Sequence, residues 1–114
     1  MKQADRPDEP LFHPPTEAIE LLAVLRALAD PMRLEIVRAI AATPGGERAC
    51  GSFDLDCTKQ NLSHHFRVLR ESGVVRTREE GRNRLTSLRR DDLEARFPGL
   101  LEGVLAAPLA SAVR

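Results

Sequence analysis

The sequence has few aromatic residues, and the ones it lacks constrain its core. Its 114 residues include four Phe but neither Trp nor Tyr. Leu, Val, Ile and Ala must therefore supply most of the buried volume, which favours helices packed through aliphatic side chains. At this length we expect one domain, because two separate cores would each be too small to be stable.

Long apolar segments are also absent from the sequence. No stretch approaches the roughly 18 apolar residues that a membrane-spanning helix needs, and charged residues make up 30% of the chain. The first ten residues carry charges and prolines instead of the apolar segment of a signal peptide. We therefore expect a cytoplasmic protein with no membrane partner.

Cysteine is scarce, and the two residues are Cys50 and Cys57. In a chain without an export signal, two cysteines are more often free thiols or metal ligands than a structural disulfide. Catalytic signatures are missing as well, since no acidic pair suits acid–base chemistry and no Gly-rich loop could cradle a phosphate. The sequence therefore predicts that the protein is not an enzyme.

Neither charge sign is in excess over the whole chain, because 17 Lys/Arg balance 17 Asp/Glu. The charges are nevertheless segregated along the sequence. Residues 58–90 contain nine Lys/Arg and three Asp/Glu, a local balance of +6, and the remainder carries −6. A neutral protein with one basic half can bind phosphates through that half and keep its acidic half away from them.

The basic half begins with residues 58–72, which have the pattern of an amphipathic helix. Thr58 is a suitable N-cap, and Gly73 is a suitable left-handed stop. Apolar positions recur at i, i+4 and i+7: Leu62, Phe66 and Leu69. The opposite side carries hydrogen-bonding and basic residues: Lys59, Gln60, Ser63, His64 and Arg67. Such a segment can be an ordinary solvated helix, or it can read base edges in the major groove of DNA.

Two further helices are predicted before this segment. Residues 1–15 are rich in proline and charge, and we expect a flexible arm. A helix over 17–29 with Thr16 as its N-cap is followed by a second over Pro31–Ala42 with Asp30 as its N-cap. The aliphatic stripe of the first helix exceeds what a small core can cover. Part of it is expected to meet a second subunit, although burial in its own core would produce the same pattern.

The segment after the basic helix is predicted to form a hairpin and more helix. Two β-prone runs flank a turn with Gly and Asn at 80–83, and the hairpin carries several arginines. Asp91 or Asp92 is expected to cap a helix that ends at Phe97, and an aliphatic helix follows from residue 100. Between 43 and 57 the pattern is weak, with a short helical turn expected near 52–55. Residues 108–114 are expected to form a tail.

The order helix, helix, capped helix, hairpin, helix is typical of a winged helix-turn-helix domain. We therefore expect a mostly α fold with a small β-hairpin over residues 16–107, dimerised through its N- and C-terminal helices. The capped helix would enter the major groove, and a twofold dimer would require a palindromic site on double-stranded DNA. The alternative is a winged helix that docks a protein and binds no DNA. The local charge favours DNA.

Three segments together resemble the ArsR/SmtB family of bacterial transcriptional repressors: ALADPMRLEIV at 27–37, LSHHFRVLRESGVV at 62–75 and EGRNR at 80–84. The resemblance covers roughly residues 18–90. It implies a homodimeric repressor that binds a palindromic operator and releases it when an inducer, often a metal ion, binds.

The resemblance also assigns roles to individual residues. Gln60, Ser63 and His64 match the DNA-reading face of the family, and His65 matches a motif histidine nearer the core. Together with neighbouring basic residues, the DNA-binding candidates are Lys59, Gln60, Ser63, His64, Arg67, Arg78, Arg82 and Arg84. Gln60, His64 and Arg67 are expected in the groove, and the others mostly on phosphates.

The metal ligands of the family are not in their usual places. One type of sensor carries Cys-x-Cys before the reading helix, whereas six residues separate Cys50 from Cys57 here; another type uses Asp and His on C-terminal helices that contain no His here. Three interpretations stay open. The cysteines can be ordinary thiols, a redox pair that strains the start of the reading helix, or ligands of a transition metal with His13 and Asp54 or Asp56.

Overall fold

The computed structural model describes residues 11–108 of the chain. Five α-helices and three strands follow in this order: α1 (Leu21–Leu28), α2 (Pro31–Ala42), β1 (Glu47–Ala49), α3 (Lys59–Glu71), β2 (Val75–Glu80), β3 (Asn83–Leu88), α4 (Arg90–Arg96) and α5 (Leu100–Ala106). The strands form one antiparallel sheet in the order β1-β3-β2. The architecture confirms the predicted winged helix-turn-helix fold. Most of the predicted tail, and the first ten residues of the predicted arm, lie outside the described residues.

Helices α2 and α3 begin where their capping residues predict. The Asp30 carboxylate accepts the backbone N–H of Arg33 at 3.0 Å, and the Thr58 hydroxyl accepts that of Asn61 at 3.0 Å. Each cap satisfies an N–H group that the first turn of a helix leaves without an internal partner. The two caps therefore fix the start of both helices of the helix-turn-helix.

The apolar side of α3 packs into the core as its spacing predicts. Leu69 is fully buried, and the Phe66 ring meets the Phe53 ring edge-on with their centroids 5.3 Å apart. Gly73 ends the helix with a φ of +93°, and a Cβ there would lie 2.7 Å from the Ile19 side chain. Gly73 is therefore required both by its backbone conformation and by the residue packed against it.

The prediction for the first helix was wrong at its start. Thr16 does not cap a helix over 17–29; it opens a 3₁₀ turn at Thr16–Ala18, and α1 begins only at Leu21. The Thr16 hydroxyl donates instead to the Asp92 carboxylate at 2.7 Å, and Ile19 is extended and buried between the two helical pieces. Tertiary contacts have therefore overridden a local helix pattern.

Three other local expectations also differ from the structure. Strand β1 was not predicted, and the sheet has three strands instead of the two of a simple hairpin. The helical turn predicted near 52–55 lies at Cys50–Ser52. The N-cap of α4 is Arg89, because the Asp92 carboxylate accepts hydrogen bonds from Thr16 and Arg89 instead of capping the helix.

Helix α1 divides its apolar residues between the core and the solvent. Val24, Ala27 and Leu28 are buried, whereas Leu21, Leu22 and Leu25 are 44%, 61% and 39% exposed. A row of exposed leucines on one helix marks a surface suited to another protein surface. Among residues 11–108, no helix combines the length and apolar content that a bilayer crossing demands.

Candidate nucleic-acid interface

The structure places the polar side of α3 on the protein surface. Lys59, Gln60, Ser63 and His64 are all exposed, and their spacing of one helical turn puts them on one face. Their amide, hydroxyl, imidazole and ammonium groups can donate to and accept from base edges and phosphates. We call these four residues the reading face.

Arg67, the fifth candidate on α3, is less accessible than the pattern predicts. Its side chain is half-buried, and its Nε is shielded from solvent and has no hydrogen-bond partner among the described residues. Arg67 therefore lies at the edge of the reading face.

The wing, which is the hairpin of β2 and β3, carries three candidate arginines that differ in whether a glutamate is paired with them. Arg78 donates to both Glu47 carboxylate oxygens at 2.8 and 2.9 Å, and Arg84 donates to Glu79 at 3.3 Å. The Arg78 hydrogen bonds lower the pKa of Glu47. Arg82 is exposed at the wing tip and forms no hydrogen bond or ion pair within residues 11–108. It is therefore the wing cation most available to a phosphate.

Two of the nine cations in the basic segment point inward. Arg70 and Arg89 are only 2% and 3% exposed. Nε of Arg70 donates to the Phe12 carbonyl at 3.1 Å, and Nη1 of Arg89 donates to the Pro14 carbonyl at 2.8 Å. These arginines hold the chain preceding α1 against α3 and the sheet, so the basic surface is smaller than the sequence count predicts.

His13 belongs to the same contact region. Its Nε2 accepts the backbone N–H of Thr77 on the edge strand β2 at 3.0 Å. That ring nitrogen therefore already accepts a backbone hydrogen bond and faces Thr77 instead of a cysteine or a metal ion. Residues 12–16 thus connect the reading helix, the wing and α4.

The His13 contact makes the fold sensitive to acid, because Nε2 accepts a hydrogen bond only while it carries no proton. Burial lowers the pKa of His13 from its ordinary 6.5, and the charges of Arg70, Arg76 and Arg89 lower it further. As the pH falls below 6.5, the unfolded chain binds the proton first, so the free energy of unfolding should decrease.

Urea unfolding at several pH values measures this dependence. His65 adds to it with the same sign, since burial also lowers the pKa of that residue. A His13→Asn variant should therefore retain only part of the decrease between about pH 7 and pH 5. A decrease equal to that of the wild type would show that His13 is not held neutral by this contact.

The two cysteines are free thiols in different surroundings. Cys50 is half-buried against the core, and burial raises its pKa to about 11, so its thiolate is scarce at neutral pH. Cys57 lines an open cleft of about 700 Å³ between the start of α2 and the start of α3, together with Asp56 and His65. Cys57 is therefore the cysteine placed closer to the reading helix.

The described residues do not form a ready metal site. Across 11–108, no three His, Cys, Asp or Glu side chains converge as ligands of one ion. The candidates Cys50, Cys57 and His13 are not brought together as a ligand set in this part of the chain. The metal-binding interpretation thus has no geometric support here.

Sequence reasoning assigned no role to Arg33, yet this residue joins three helices. Its guanidinium donates to the carbonyls of Arg26 and Ala27, at the end of α1, and to Nδ1 of His65 on α3. The segment DPMR contains Arg33, and only its aspartate and proline were interpreted there. The available signal was an arginine at the third position of a helix whose N-cap was already identified.

The sequence of the chain is similar to those of known regulators. A family model described as a helix-turn-helix domain matches residues 28–78. The HTH-type transcriptional regulator YceK of Bacillus subtilis is 38% identical over 81 residues, which cover 69% of this chain and 80% of that protein. The biofilm growth-associated repressor of Agrobacterium fabrum is 33% identical over 109 residues, covering 94% and 90%.

Further similarity comes from a repressor and from solved structures. The arsenical resistance operon repressor of Staphylococcus xylosus is 32% identical over 76 residues, covering 66% of this chain and 71% of that protein. The crystal structure of an ArsR family transcriptional regulator matches with a TM-score of 0.60 at 25% identity, covering 73% and 90%. The crystal structure of Rv0081 from M. tuberculosis matches with a TM-score of 0.56 at 29% identity, and the match covers 82% of this chain and 92% of that one.

Proposed function

This chain belongs to the ArsR family of winged helix-turn-helix transcriptional regulators, and we propose that it acts as a homodimer on a palindromic operator. Two relatives are named repressors and a similar solved structure is an ArsR family transcriptional regulator, which supports DNA binding and repression as the activity of this chain. The proposal concerns the assembly, the symmetry of the site and the residues that contact DNA.

The reading face is the observation that carries the proposal. Gln60 and His64 lie one turn apart and are free to reach base edges, where an amide can pair with adenine and an imidazole can donate to guanine. Lys59 and Ser63 flank them, and Lys59 stands at the positive end of the helix, which favours phosphate. Arg82 at the wing tip adds a second phosphate or minor-groove contact.

The exposed leucines of α1 support a dimer. Leu21, Leu22 and Leu25 form an apolar stripe that is exposed in the described part of the chain, residues 11–108. Leu100, Val104 and Leu105 of α5 are only partly buried against the core. A twofold axis through these helices would present two reading helices to DNA, and two equal half-sites form a palindrome.

Control by an effector stays a prediction of the family resemblance. Cys57 directly precedes the N-cap Thr58 of the reading helix. Chemistry at this thiol would therefore act on the start of α3. A Cys50–Cys57 redox pair would have to use Cys50, whose raised pKa makes it a poor nucleophile.

A gel-shift titration tests the proposed function against the alternative of a protein-interaction module. The probes are a duplex from the region upstream of its own gene and a scrambled duplex of equal length, each at low and moderate salt. We expect a complex with two chains on the upstream duplex. Raising salt from about 50 to 200 mM should weaken it by about 100-fold if each chain contacts roughly two phosphates through cations. No salt-dependent complex on any upstream fragment would favour the module.

A further inference from the structure

One arginine side chain joins the helix that carries the exposed leucines to the reading helix. Nε of Arg33 donates to the Ala27 carbonyl at 2.7 Å, and Nη2 donates to the Arg26 carbonyl at 3.4 Å. These two carbonyls lie in the last turn of α1, where helical acceptors have few internal partners, and the Arg26 carbonyl also accepts the backbone N–H of Ala29 at 3.3 Å. Nη1 of the same guanidinium lies 3.1 Å from Nδ1 of His65 on α3.

The contact requires a neutral His65. A guanidinium has only donors, so Nδ1 must be the unprotonated acceptor and the proton must reside on Nε2. Burial lowers the pKa of His65, Arg33 and His64 lower it further, and Asp30, 4.0 Å from Nδ1, opposes them. His65 also lines the cleft that contains Asp56 and Cys57. The lowered pKa favours the uncharged imidazole that this hydrogen bond requires.

We propose that Arg33 and His65 form a positioning pair that fixes the rotation of α3 against the end of α1, and so determines how well the protein distinguishes its operator from other DNA. Neither residue belongs to the reading face: His65 is half-buried, and its ring centroid lies 5.8 Å from that of the exposed His64. The inference rests on the proposed role of α3 as the reading helix.

The geometry explains why a small rotation would matter. For a helix about 10–12 Å in diameter with its side chains, a rotation of about 15° moves the side-chain tips by about 1.5 Å. A hydrogen bond to a base edge tolerates only about 0.5 Å. Phosphate contacts through a flexible lysine would survive such a shift, so sequence discrimination falls while non-specific binding persists.

The test compares the ratio of operator affinity to scrambled-duplex affinity in three proteins at about pH 7.5 and pH 5.5. His65→Leu removes the acceptor and keeps the side-chain size. His65→Asn keeps a neutral acceptor near the Nδ1 position and cannot take up a proton. We expect the Leu variant to lose about tenfold or more in the ratio at about pH 7.5, and the Asn variant to keep, at both pH values, the ratio that the wild type has at about pH 7.5. The wild-type ratio should fall at the lower pH.

The outcomes separate this inference from the proposed function. A wild type that binds both duplexes equally would overturn the proposed function and, with it, the positioning pair. If the wild type does discriminate, three results would overturn the positioning pair alone. His65→Leu could keep the wild-type ratio, or it could lose affinity equally for both duplexes. His65→Asn could also be as impaired as His65→Leu. Arg33→Met combined with His65→Leu should lose no more of the ratio than His65→Leu alone, because replacing His65 already breaks the link to α3 and the other two Arg33 hydrogen bonds end on α1.

Discussion

Replacing Gln60 and His64 together by Ala is expected to weaken operator binding by about 100-fold or more, because each good base contact contributes about 1–3 kcal/mol. Both side chains are exposed and one turn apart on α3. Neither takes part in the core, so the fold should be unaffected and thermal unfolding should be close to that of the wild type. Fluorescence anisotropy with a labelled upstream duplex measures the loss directly.

The control for this variant is Glu35→Ala, which truncates an exposed side chain on α2. It should bind the operator within about twofold of the wild type, as expected of a surface substitution away from DNA. Binding of the double variant to a scrambled duplex should change far less than binding to the operator. Equal operator affinity in the double variant and the wild type would mean that α3 presents a different face to DNA.

Replacing Leu22 and Leu25 together by Glu should separate the dimer into monomers. These residues are 61% and 39% exposed in one chain and would face their copies across the twofold axis. Four carboxylates buried in such an interface would lack partners and would be strongly unfavourable. Operator affinity should drop by roughly 100-fold or more, because each half-site would then be bound by a separate monomer instead of by one half of a linked dimer.

Sedimentation in an analytical ultracentrifuge at micromolar protein concentration distinguishes a monomer from a dimer. Ala42→Glu is the control, since it adds one carboxylate to an exposed position at the end of α2. It should sediment like the wild type. A Leu22→Glu, Leu25→Glu protein that remains a dimer would place the interface elsewhere. A wild type that sediments as a monomer would contradict the proposed homodimer.

The parts of the fold that were predictable from the sequence depend on local chemistry. Asp30 and Thr58 cap their helices through hydrogen bonds to residues three positions ahead. Gly73 stops α3 because its backbone takes a positive φ. Such signals involve neighbouring residues only, so a single sequence contains them in full.

The parts that were not predictable depend on contacts between distant residues. Strand β1 is only three residues long and exists because it pairs with β3, with Glu47 opposite Ser87. The start of α1 is displaced because Thr16 reaches Asp92 across 76 positions. No periodicity within either segment indicates these partners, since the stabilising groups lie elsewhere in the chain.

The candidate site shows the same division. The reading face follows from helical spacing, and its exposure agrees with the structure. The wing charges do not follow from spacing, because Arg78 is paired with Glu47 from a strand that the sequence did not reveal. The link from Arg33 to His65 also crosses 32 positions. Charge counts therefore located the basic half but overestimated the cations free to meet DNA.

The most direct measurement of the central claim is the change in backbone amide NMR signals when the operator duplex is added to the protein. We expect the largest changes in residues 59–67 of α3 and at the wing tip around Arg82, with much smaller ones in α5. Changes centred on α5 or α1, with α3 unaffected, would contradict the assignment of Lys59, Gln60, Ser63 and His64 as the face that reads DNA.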